Sequence, residues 1–526
     1  MYLPHPLDRQ NQQQAYERVL NSETKYIILK LPTGSGKSAI AAALAALNKF
    51  KTMALVLTKS LQYQYAGPYQ FANLLGKNNY DCLGIGQQIK LFDNEASTAD
   101  LCVCPKDMRS KCEDRCSYPL ARCQFVNSLA GVTNYRKFVT DRGITNSTDY
   151  VKGFDPDYLF LDEGHKLSDI TVEYAGIELN WQSKRLMKYC SPIEIDTDKI
   201  GKQLGLPPNF AKTEAIDQAT EWLMGLQATL KTQTPKHPSK GGNRKHWLWH
   251  KRQLEKIDIT LYAMQTEPDC WFVHSNEWGM TIKPLTAKYH FQSIFDKAEK
   301  IVIMSATIQP QHITSLGLNE FEFISFPSPI PANMRPVYDL DCPPLTWQST
   351  SYHYDKQAEI LAGIFQSQPD HWNGMLHFPS KKKTWDCANL MRKMTGRPIF
   401  VPDEQHSTDE AYDTWLQFEK DNVGAIACVW QFDTGVDAGN INTNICCGVP
   451  YPNLKNRYEK ARFDYNYSEA IVRVINTMIQ ILGRSRRGFD DHYGPFANKF
   501  VGIADGKWRK LPKKLIDRDF MKSIVP

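Results

Sequence analysis

A glycine-rich loop between a short apolar run and a long alanine-rich stretch constrains this chain most strongly. Residues 26–31 have the composition of a buried β-strand, and residues 39–48 have that of a buried helix. Glycines between them let backbone N–H groups approach an anion at the start of the helix. A strand, a glycine turn and a helix in this order predict the opening unit of a nucleotide-binding α/β domain.

Further apolar runs stop at polar or small residues, as buried parallel strands do at the edge where α/β proteins bind ligands. In the first half these predicted strands are 53–58, 158–161 and 301–304. In the second half they are 374–378, 424–430 and 444–449, followed by a helix over about 468–482. The alternation predicts two parallel α/β domains, with a boundary near 342–344.

Length, charge and apolar runs limit the class of protein. A chain of 526 residues is too long for one core, and its net charge of +6 permits a polyanionic partner without requiring one. The longest apolar run, 39–47, is much shorter than the ~20 residues that cross a bilayer. We therefore expect no membrane partner and a cytoplasmic location, in a bacterium or a phage-infected host. Because thiols stay reduced there, the 13 cysteines are expected to be core residues or metal ligands.

The loop 31–38, LPTGSGKS, resembles the Walker A loop of helicases. Lys37 would reach the β- and γ-phosphates of ATP, and the Ser38 hydroxyl would bind Mg²⁺. Leu31 replaces the first glycine of the general pattern, a position that helicase loops of the form PTGSGK relax. The other residues expected around the phosphates are Thr33, Gly34, Ser35 and Gly36.

The segment 162–165, DEGH, follows its own predicted strand and resembles the D-E-A-H motif II of helicases. Asp162 would bind Mg²⁺, Glu163 would polarise the attacking water, and His165 would couple the nucleotide state to neighbouring motifs. Gly164 replaces the usual alanine, a small change that we expect to preserve the chemistry.

Two further motifs occur in the order found in helicases. Residues 305–307, SAT, resemble motif III, which links hydrolysis to strand movement. Residues 480–487 match the Q-x-x-G-R-x-x-R of motif VI. Gln480 opens this motif, and Arg484 and Arg487 would stabilise charge on the γ-phosphate in the transition state.

The remaining matches indicate one branch of these enzymes. Residues 378–380, FPS, resemble motif IV, and residues 448–453 resemble a G-x-P-F-P-N turn. In the motif V region only Gly435 and Asp437 carry over, and Gln12, with Arg9, resembles a motif near the adenine pocket. The chain thus resembles the XPD/DinG-like DNA helicases of superfamily 2. This resemblance implies an α/β fold with two RecA-like motor domains.

The resemblance also implies two insertions in the first motor domain. Relatives carry a cluster domain between motifs I and II and a helical arch between motifs II and III. Residues 80–125, rich in cysteine, and 180–280, mostly helical with a polar break at 232–243, lie at these places. The first motor domain is then expected over 1–79, 126–179 and 281–341, and the second over 342–526.

Six cysteines lie within the predicted cluster insertion. By resemblance, Cys116 is the fourth ligand, Cys112 the third and Cys82 the first, while Cys123 is a helix residue. The second ligand is Cys104 or Cys102, and we prefer Cys104. Four thiolates suit a [4Fe–4S] cluster or a tetrahedral Zn²⁺ equally well by spacing. The family favours iron–sulfur.

Two basic stretches are candidates for nucleic-acid contact. Residues 231–252 hold seven Lys or Arg, no acid, and the indoles of Trp247 and Trp249, and residues 381–383 are three lysines. A solvated surface explains each equally well. The resemblance implies ATP-dependent, 5′-to-3′ translocation on single-stranded DNA, with action on duplex junctions in DNA repair or replication. The alternatives are a nucleic-acid-stimulated ATPase that remodels protein–DNA or RNA complexes without processive unwinding, and a non-catalytic scaffold.

Overall fold

Three β-sheets organise the part of the chain that the computed structural model describes. The described residues are 10–32, 35–76, 79–80, 117–140, 153–236, 244–328, 331–346, 348–430, 441–483 and 499–525. Among them, no helix combines the length and the apolar character needed to cross a membrane.

The first part of the chain alternates helices and buried strands. Its elements are α1 (Gln10–Asn21), β1 (Tyr26–Lys30), α2 (Lys37–Asn48), β2 (Thr52–Val56), α3 (Lys59–Tyr69), β3 (Ala72–Leu74), α4 (Ser117–Asn127), β4 (Ala130–Asn134), α5 (Tyr135–Thr140), β5 (Tyr158–Leu161) and α6 (Leu167–Ala175). Helix α2 is buried from Ala39 to Ala45, since its small side chains let it pack closely on the sheet. The predicted strand at 158–161 has the predicted bounds.

A mixed insertion follows α6. It contains β6 (Ile177–Asn180), α7 (Thr197–Leu204), α8 (Pro208–Thr232), α9 (Arg244–Ala263), β7 (Trp271–Ser275) and β8 (Gly279–Pro284). The long helices α8 and α9 flank the predicted polar break. The three strands form an antiparallel sheet of order β6-β8-β7, which we did not predict. In β6, buried and exposed residues alternate, as expected where only one face of a sheet is covered.

The chain then returns to the first sheet. The elements are α10 (Phe291–Phe295), β9 (Lys300–Ser305), α11 (Pro310–Ser315) and β10 (Glu322–Ser325). The complete sheet has the order β10-β1-β9-β5-β2-β4-β3, and all its strand pairs are parallel. Strand β9 lies between β1 and β5, so the segments that follow these three strands meet at one edge. These segments are the phosphate loop, DEGH and SAT.

A second seven-stranded parallel sheet follows. Its domain contains β11 (Val337–Asp339), α12 (Ser351–Ser367), β12 (Gly374–His377), α13 (Lys381–Thr395), β13 (Ile399–Phe400), α14 (Thr408–Asp421), β14 (Ile426–Val429), β15 (Thr443–Cys446), α15 (Arg457–Tyr465), α16 (Tyr467–Gly483), β16 (Phe500–Ile503), α17 (Arg518–Met521) and β17 (Ile524–Val525). The strand order is β13-β14-β12-β15-β16-β11-β17. The prediction of two parallel-sheet, RecA-like α/β domains is confirmed.

The domain boundary lies slightly earlier than the predicted residue 342. Strand β11 pairs in parallel with β16 and β17, so the second sheet already includes Val337. Sequence reasoning missed this strand because three residues are too short to show a hydrophobic period.

Candidate nucleotide and nucleic-acid site

The phosphate loop between β1 and α2 turns at Gly36, whose φ of 75° is left-handed. Gln12, on α1, is buried, and its side-chain amide donates to the Ser35 carbonyl at 2.7 Å. A Cβ at position 36 would collide with that amide. The backbone angle therefore requires glycine here, and a larger residue would also displace the Gln12 amide. Gln12, which the resemblance places near the adenine pocket, lies against the phosphate loop in this structure.

Lys37 is the first residue of α2, and its side chain turns back over the phosphate loop. Its Nζ donates to the carbonyl oxygens of Leu31 and Pro32, each at 3.3 Å. The Ser35 hydroxyl closes the turn by donating to the same Pro32 carbonyl at 2.7 Å. The ammonium is thus held at the mouth of the loop by neutral acceptors, which a charged phosphate would outcompete.

Asp162 directly follows β5, and its carboxylate is held from two sides. Oδ1 accepts from the Glu163 backbone N–H at 2.9 Å, and Oδ2 accepts from the Tyr65 hydroxyl at 3.3 Å. Burial and the Glu163 charge raise the pKa of Asp162 to about 6, while Lys37 opposes the shift. Ser38 also lies close enough to the Tyr65 hydroxyl to oppose the rise in the pKa of Tyr65. The two predicted Mg²⁺ ligands, Ser38 and Asp162, therefore meet around one tyrosine, and their oxygens are the ligand type that Mg²⁺ prefers.

A series of polar contacts leads from Glu163 to the second domain. His165 Nδ1 lies 3.4 Å from Glu163 Oε2 and 2.9 Å from Ser305 Oγ. Ser305 Oγ lies 3.4 Å from Thr307 Oγ1, which accepts from Gln480 Nε2 at 3.2 Å. All of these side chains except Glu163 are buried. The predicted motifs II, III and VI are therefore in contact, and Gln480 makes the step between domains.

Two tyrosines that sequence reasoning missed support motif II. Tyr65 contacts the carboxylate of Asp162, and the Tyr135 hydroxyl donates to the Asp162 backbone carbonyl at 2.5 Å. Burial and the charge of Asp162 raise the pKa of both hydroxyls well above the ordinary value, so both remain protonated donors. Tyr135 directly follows β4, and neither tyrosine belongs to one of the motifs recognised in the sequence.

At the corresponding edge of the second sheet, the FPS segment and the 448–453 turn pack together. A Cβ at Gly448 would overlap the Pro379 ring, so the close approach requires glycine. Asp505, after β16, is buried and accepts the backbone N–H groups of Leu345, Val449 and Lys507 at 2.9, 3.0 and 2.9 Å. Asp505 was not predicted, since a lone aspartate in a loop carries no pattern.

Three lysines at this edge form what we call the strand-end basic surface: Lys381, Lys383 and Lys507. Each lies over an aromatic ring, with Nζ 5.7 Å from the Trp430 centroid, 5.5 Å from Tyr354 and 4.2 Å from Tyr451, respectively. Burial, together with the charges of Lys383 and Lys510, lowers the pKa of Lys507 against the opposing charge of Asp505. The mutual repulsion of these cations indicates a positive electrostatic potential at this surface. A bound polyanion would reduce that repulsion.

The basic stretch of the insertion is partly structural. Trp249 packs against the core of the insertion and stacks with Tyr189 at a centroid distance of 5.9 Å. Lys251 lies over the Trp247 ring at 5.8 Å, and Lys231 is exposed. Trp249 is therefore a packing residue of the insertion, and the exposed lysines remain available to a polyanion.

Several predicted site residues lie outside the described part of the chain. They are Thr33, Gly34, Gly435, Asp437, Arg484, Arg487, Cys82, Cys102, Cys104, Cys112 and Cys116. Cys123 lies on helix α4, as expected. Among the described residues, no three His, Cys, Asp or Glu side chains are arranged to hold a metal. The described cysteines of the second domain are buried core residues, and burial raises the pKa of thiols such as Cys428.

Comparison with known proteins supports the arrangement. Residues 7–192, about a third of the chain, match the family described as "Type III restriction enzyme, res subunit". No curated protein matches the chain in sequence. An XPD helicase structure superposes with a TM-score of 0.59 at 15% identity, covering 98% of both chains. The chain has the fold of the XPD helicases.

Two further XPD structures agree with this result. S. tokodaii Xpd4 gives a TM-score of 0.56 at 12% identity and covers 98% of this chain and 99% of its own. An apo form of XPD gives 0.52 at 15% identity, over 96% and 97% of the two chains. The resemblance to XPD/DinG-like helicases predicted from the motifs is thus confirmed as a likeness of fold along nearly the whole chain.

Proposed function

We propose that this protein is an ATP- and Mg²⁺-dependent helicase that translocates on single-stranded DNA in the 5′-to-3′ direction. The observation that carries the proposal is the polar series from Glu163 through His165 to Gln480. It joins Glu163, a residue suited to activate water, to the second domain through the buried side chains of His165, Ser305, Thr307 and Gln480. A motor needs such a connection, because hydrolysis at one domain must change the position of the other.

The residues around the phosphate loop suit a nucleotide with its cation. ATP and Mg²⁺ would supply the reactive phosphoanhydride and the charge that neutralises it. Lys37 would hold the β- and γ-phosphates, Ser38 and Asp162 would bind the cation, and Glu163 would orient and deprotonate the water. From the second domain, Arg484 and Arg487 would stabilise the charge that develops on the γ-phosphate.

Single-stranded DNA is proposed to contact the strand-end basic surface. Lys381, Lys383 and Lys507 would pair with phosphates, and the neighbouring rings could stack on bases. Contacts to the backbone carry little sequence information, so we expect activity at duplex junctions of many sequences.

We also propose a [4Fe–4S] cluster bound by Cys82, Cys104, Cys112 and Cys116, with Cys102 as the alternative second ligand and Zn²⁺ as the alternative metal. The described residues on either side of the segment lie close together. Tyr80 and Tyr118 contact each other with ring centroids 5.4 Å apart. Each tyrosine is two positions from a predicted ligand, so the two ends of the cysteine-rich segment are close to each other in space. The cluster would have a structural role, in a wedge against which a duplex separates.

A turnover and strand-displacement experiment tests the function. Wild type, Lys37→Ala and the control Lys420→Ala, an exposed lysine of α14, are assayed with DNA and RNA duplexes that carry 5′ or 3′ overhangs. We expect DNA-stimulated hydrolysis and displacement from the 5′ overhang in wild type and control, and neither in Lys37→Ala. Hydrolysis without displacement would instead favour a remodelling ATPase, and substantial turnover by Lys37→Ala would refute the assignment of the nucleotide site.

A further inference from the structure

Helix α6 begins two residues after His165 and carries Asp169. Two neighbouring arginines contact the carboxylate of this residue. Asp169 Oδ1 accepts from Arg462 Nη1 at 2.6 Å and from Arg473 Nη1 at 2.9 Å. Arg462 lies on α15 and Arg473 on α16, so both guanidinium groups belong to the second domain. One side chain of the first domain thus holds two helices of the second.

A second set of contacts surrounds this pair. The Ser168 hydroxyl donates to Glu469 Oε1 at 2.6 Å and accepts from Arg462 Nη2 at 2.9 Å. Arg462 Nη2 also lies 3.4 Å from Glu469 Oε1. The side chains of Arg462 and Glu469 are each only 4% exposed, so water cannot replace these contacts.

The charges of this network balance only when the domains are together. Arg462 and Arg473 face one carboxylate of their own domain, Glu469, and one of the other domain, Asp169. The Asp169 side chain is 39% exposed, and its partial burial would raise its pKa, but the two arginines outweigh this effect and hold the pKa well below its ordinary range. A buried charge is costly unless it is paired, so the network favours one relative orientation of the domains.

Helix α16 continues the contact along its whole length. Glu469, Arg473, Asn476 and Gln480 are spaced by four, three and four residues, which places them on one face of the helix. The Asn476 amide lies 2.5 Å from His312 Nε2, and Gln480 contacts Thr307. We call these four residues the α16 polar stripe; it extends roughly 16 Å along the first domain, at 1.5 Å per residue.

We propose that Asp169 is a positioning residue that sets the register of the α16 polar stripe against the helix following DEGH. Arg473 lies seven residues, roughly 10 Å, before Gln480 on the same helix. Asp169 therefore fixes the helix axis two turns ahead of motif VI. The inference rests on the proposed function, since the residues after Gln480 are those proposed to reach the γ-phosphate.

Two variants with different net charge in the network distinguish a loss of positioning from a loss of stability. Asp169→Asn keeps the side-chain shape and removes the charge, while Asp169→Asn with Arg473→Gln also restores a one-to-one pairing of Arg462 with Glu469. We expect kcat for ATP hydrolysis to fall about 10- to 100-fold in both, with nucleotide Kd changed less than about threefold. Thermal stability should recover in the double variant and kcat should not. Asp413→Asn, an exposed carboxylate on α14, is the control.

Two results would overturn the proposal. One is a wild-type kcat in the double variant. This measurement still tests the proposal if the single variant Asp169→Asn fails to fold. The other concerns hydrogen exchange without nucleotide. We expect faster exchange in α6 and α16 but not in α14 of the variants, and unchanged protection of α6 and α16 would refute the register role. A wild-type protein without turnover would refute the proposed function, and the exchange measurement would still test the positioning.

Discussion

Replacing Gly164 by alanine would restore the residue that the D-E-A-H pattern has, yet we expect it to destabilise this protein. Gly164 opens a 3₁₀ turn, Gly164–Lys166, that lies on strand β9. A Cβ at this position would overlap the Cγ2 methyl of Ile303, which is fully buried, and would lie 3.3 Å from both Ile308 Cδ1 and the Met304 carbonyl oxygen. The sequence-based expectation was that this glycine preserves the chemistry, and it did not address the packing around position 164.

Two effects of opposite sign decide the magnitude. Alanine in a helical turn is favoured over glycine by about 0.5–1 kcal/mol through the entropy of the unfolded chain. Forcing a methyl group into a close-packed core costs about 1–3 kcal/mol. Because Ile303 has no exposed surface into which it can move, the packing cost should prevail. We expect a net loss of about 1–2 kcal/mol, or about 2–8 °C in the melting temperature of the first domain.

The assay is thermal unfolding of Gly164→Ala, Ile303→Leu and the double variant. Leucine lacks the methyl group on Cβ that causes the overlap, and a swap of equal volume costs less than about 1.5 kcal/mol. The double variant should therefore be more stable than the sum of the single effects, by about 0.5 kcal/mol or more. Gly225→Ala is the control, because a Cβ there meets open space on α8 and no proline follows it, and it should stabilise. Stabilisation by Gly164→Ala, or additivity with Ile303→Leu, would refute the reasoning.

Two further predictions concern protons and metal. Burial raises the pKa of Asp162 to about 6, so Mg²⁺-nucleotide binding should weaken as the pH falls through 6, and Asp162→Asn should remove this dependence. In the metal-free protein, the pKa of Asp162 is higher in the folded state than in the unfolded state, where it is near 4. Protonation of Asp162 therefore stabilises the fold fully below pH 4, and this contribution is lost as the pH rises through 6. After anaerobic purification, iron and sulfide analysis with a visible spectrum should show about four of each per chain, lost in Cys116→Ser. Detection of zinc instead of iron would leave the proposed ATPase function intact but contradict the [4Fe–4S] cluster. The absence of any metal would refute the ligand assignment.

The parts of the fold that could be predicted are those where one local rule decides the structure. Strand β5 had the predicted bounds because four apolar residues are followed at once by two acids, and a strand buried on both faces tolerates no charge. The phosphate loop was recognisable because few sequences other than a tight glycine turn can follow a strand and start a helix. The alternation of buried strands and helices along the chain then predicted two domains of the same design.

The parts that could not be predicted depend on contacts between distant residues. Tyr65 lies 97 positions from the Asp162 carboxylate that it contacts, and nothing in its local sequence marks it. The α16 polar stripe was invisible for a related reason. Polar residues on one face of an amphipathic helix normally face water, and only the packing of the first domain against Glu469, Arg473, Asn476 and Gln480 makes them an interface.

The central place of β9 in the first sheet has a consequence for how the protein is made. Strand β1 emerges early in synthesis, but its neighbour β9 follows roughly 270 residues later. At 5–20 residues per second, a ribosome leaves β1 without β9 for roughly 14 to 54 s and β5 without β9 for roughly 7 to 28 s. During this time both strands expose apolar faces and unpaired backbone groups. The nascent first domain should therefore depend on chaperones until β9 is inserted. In the second domain, β11 similarly waits roughly 160 residues for its neighbour β16.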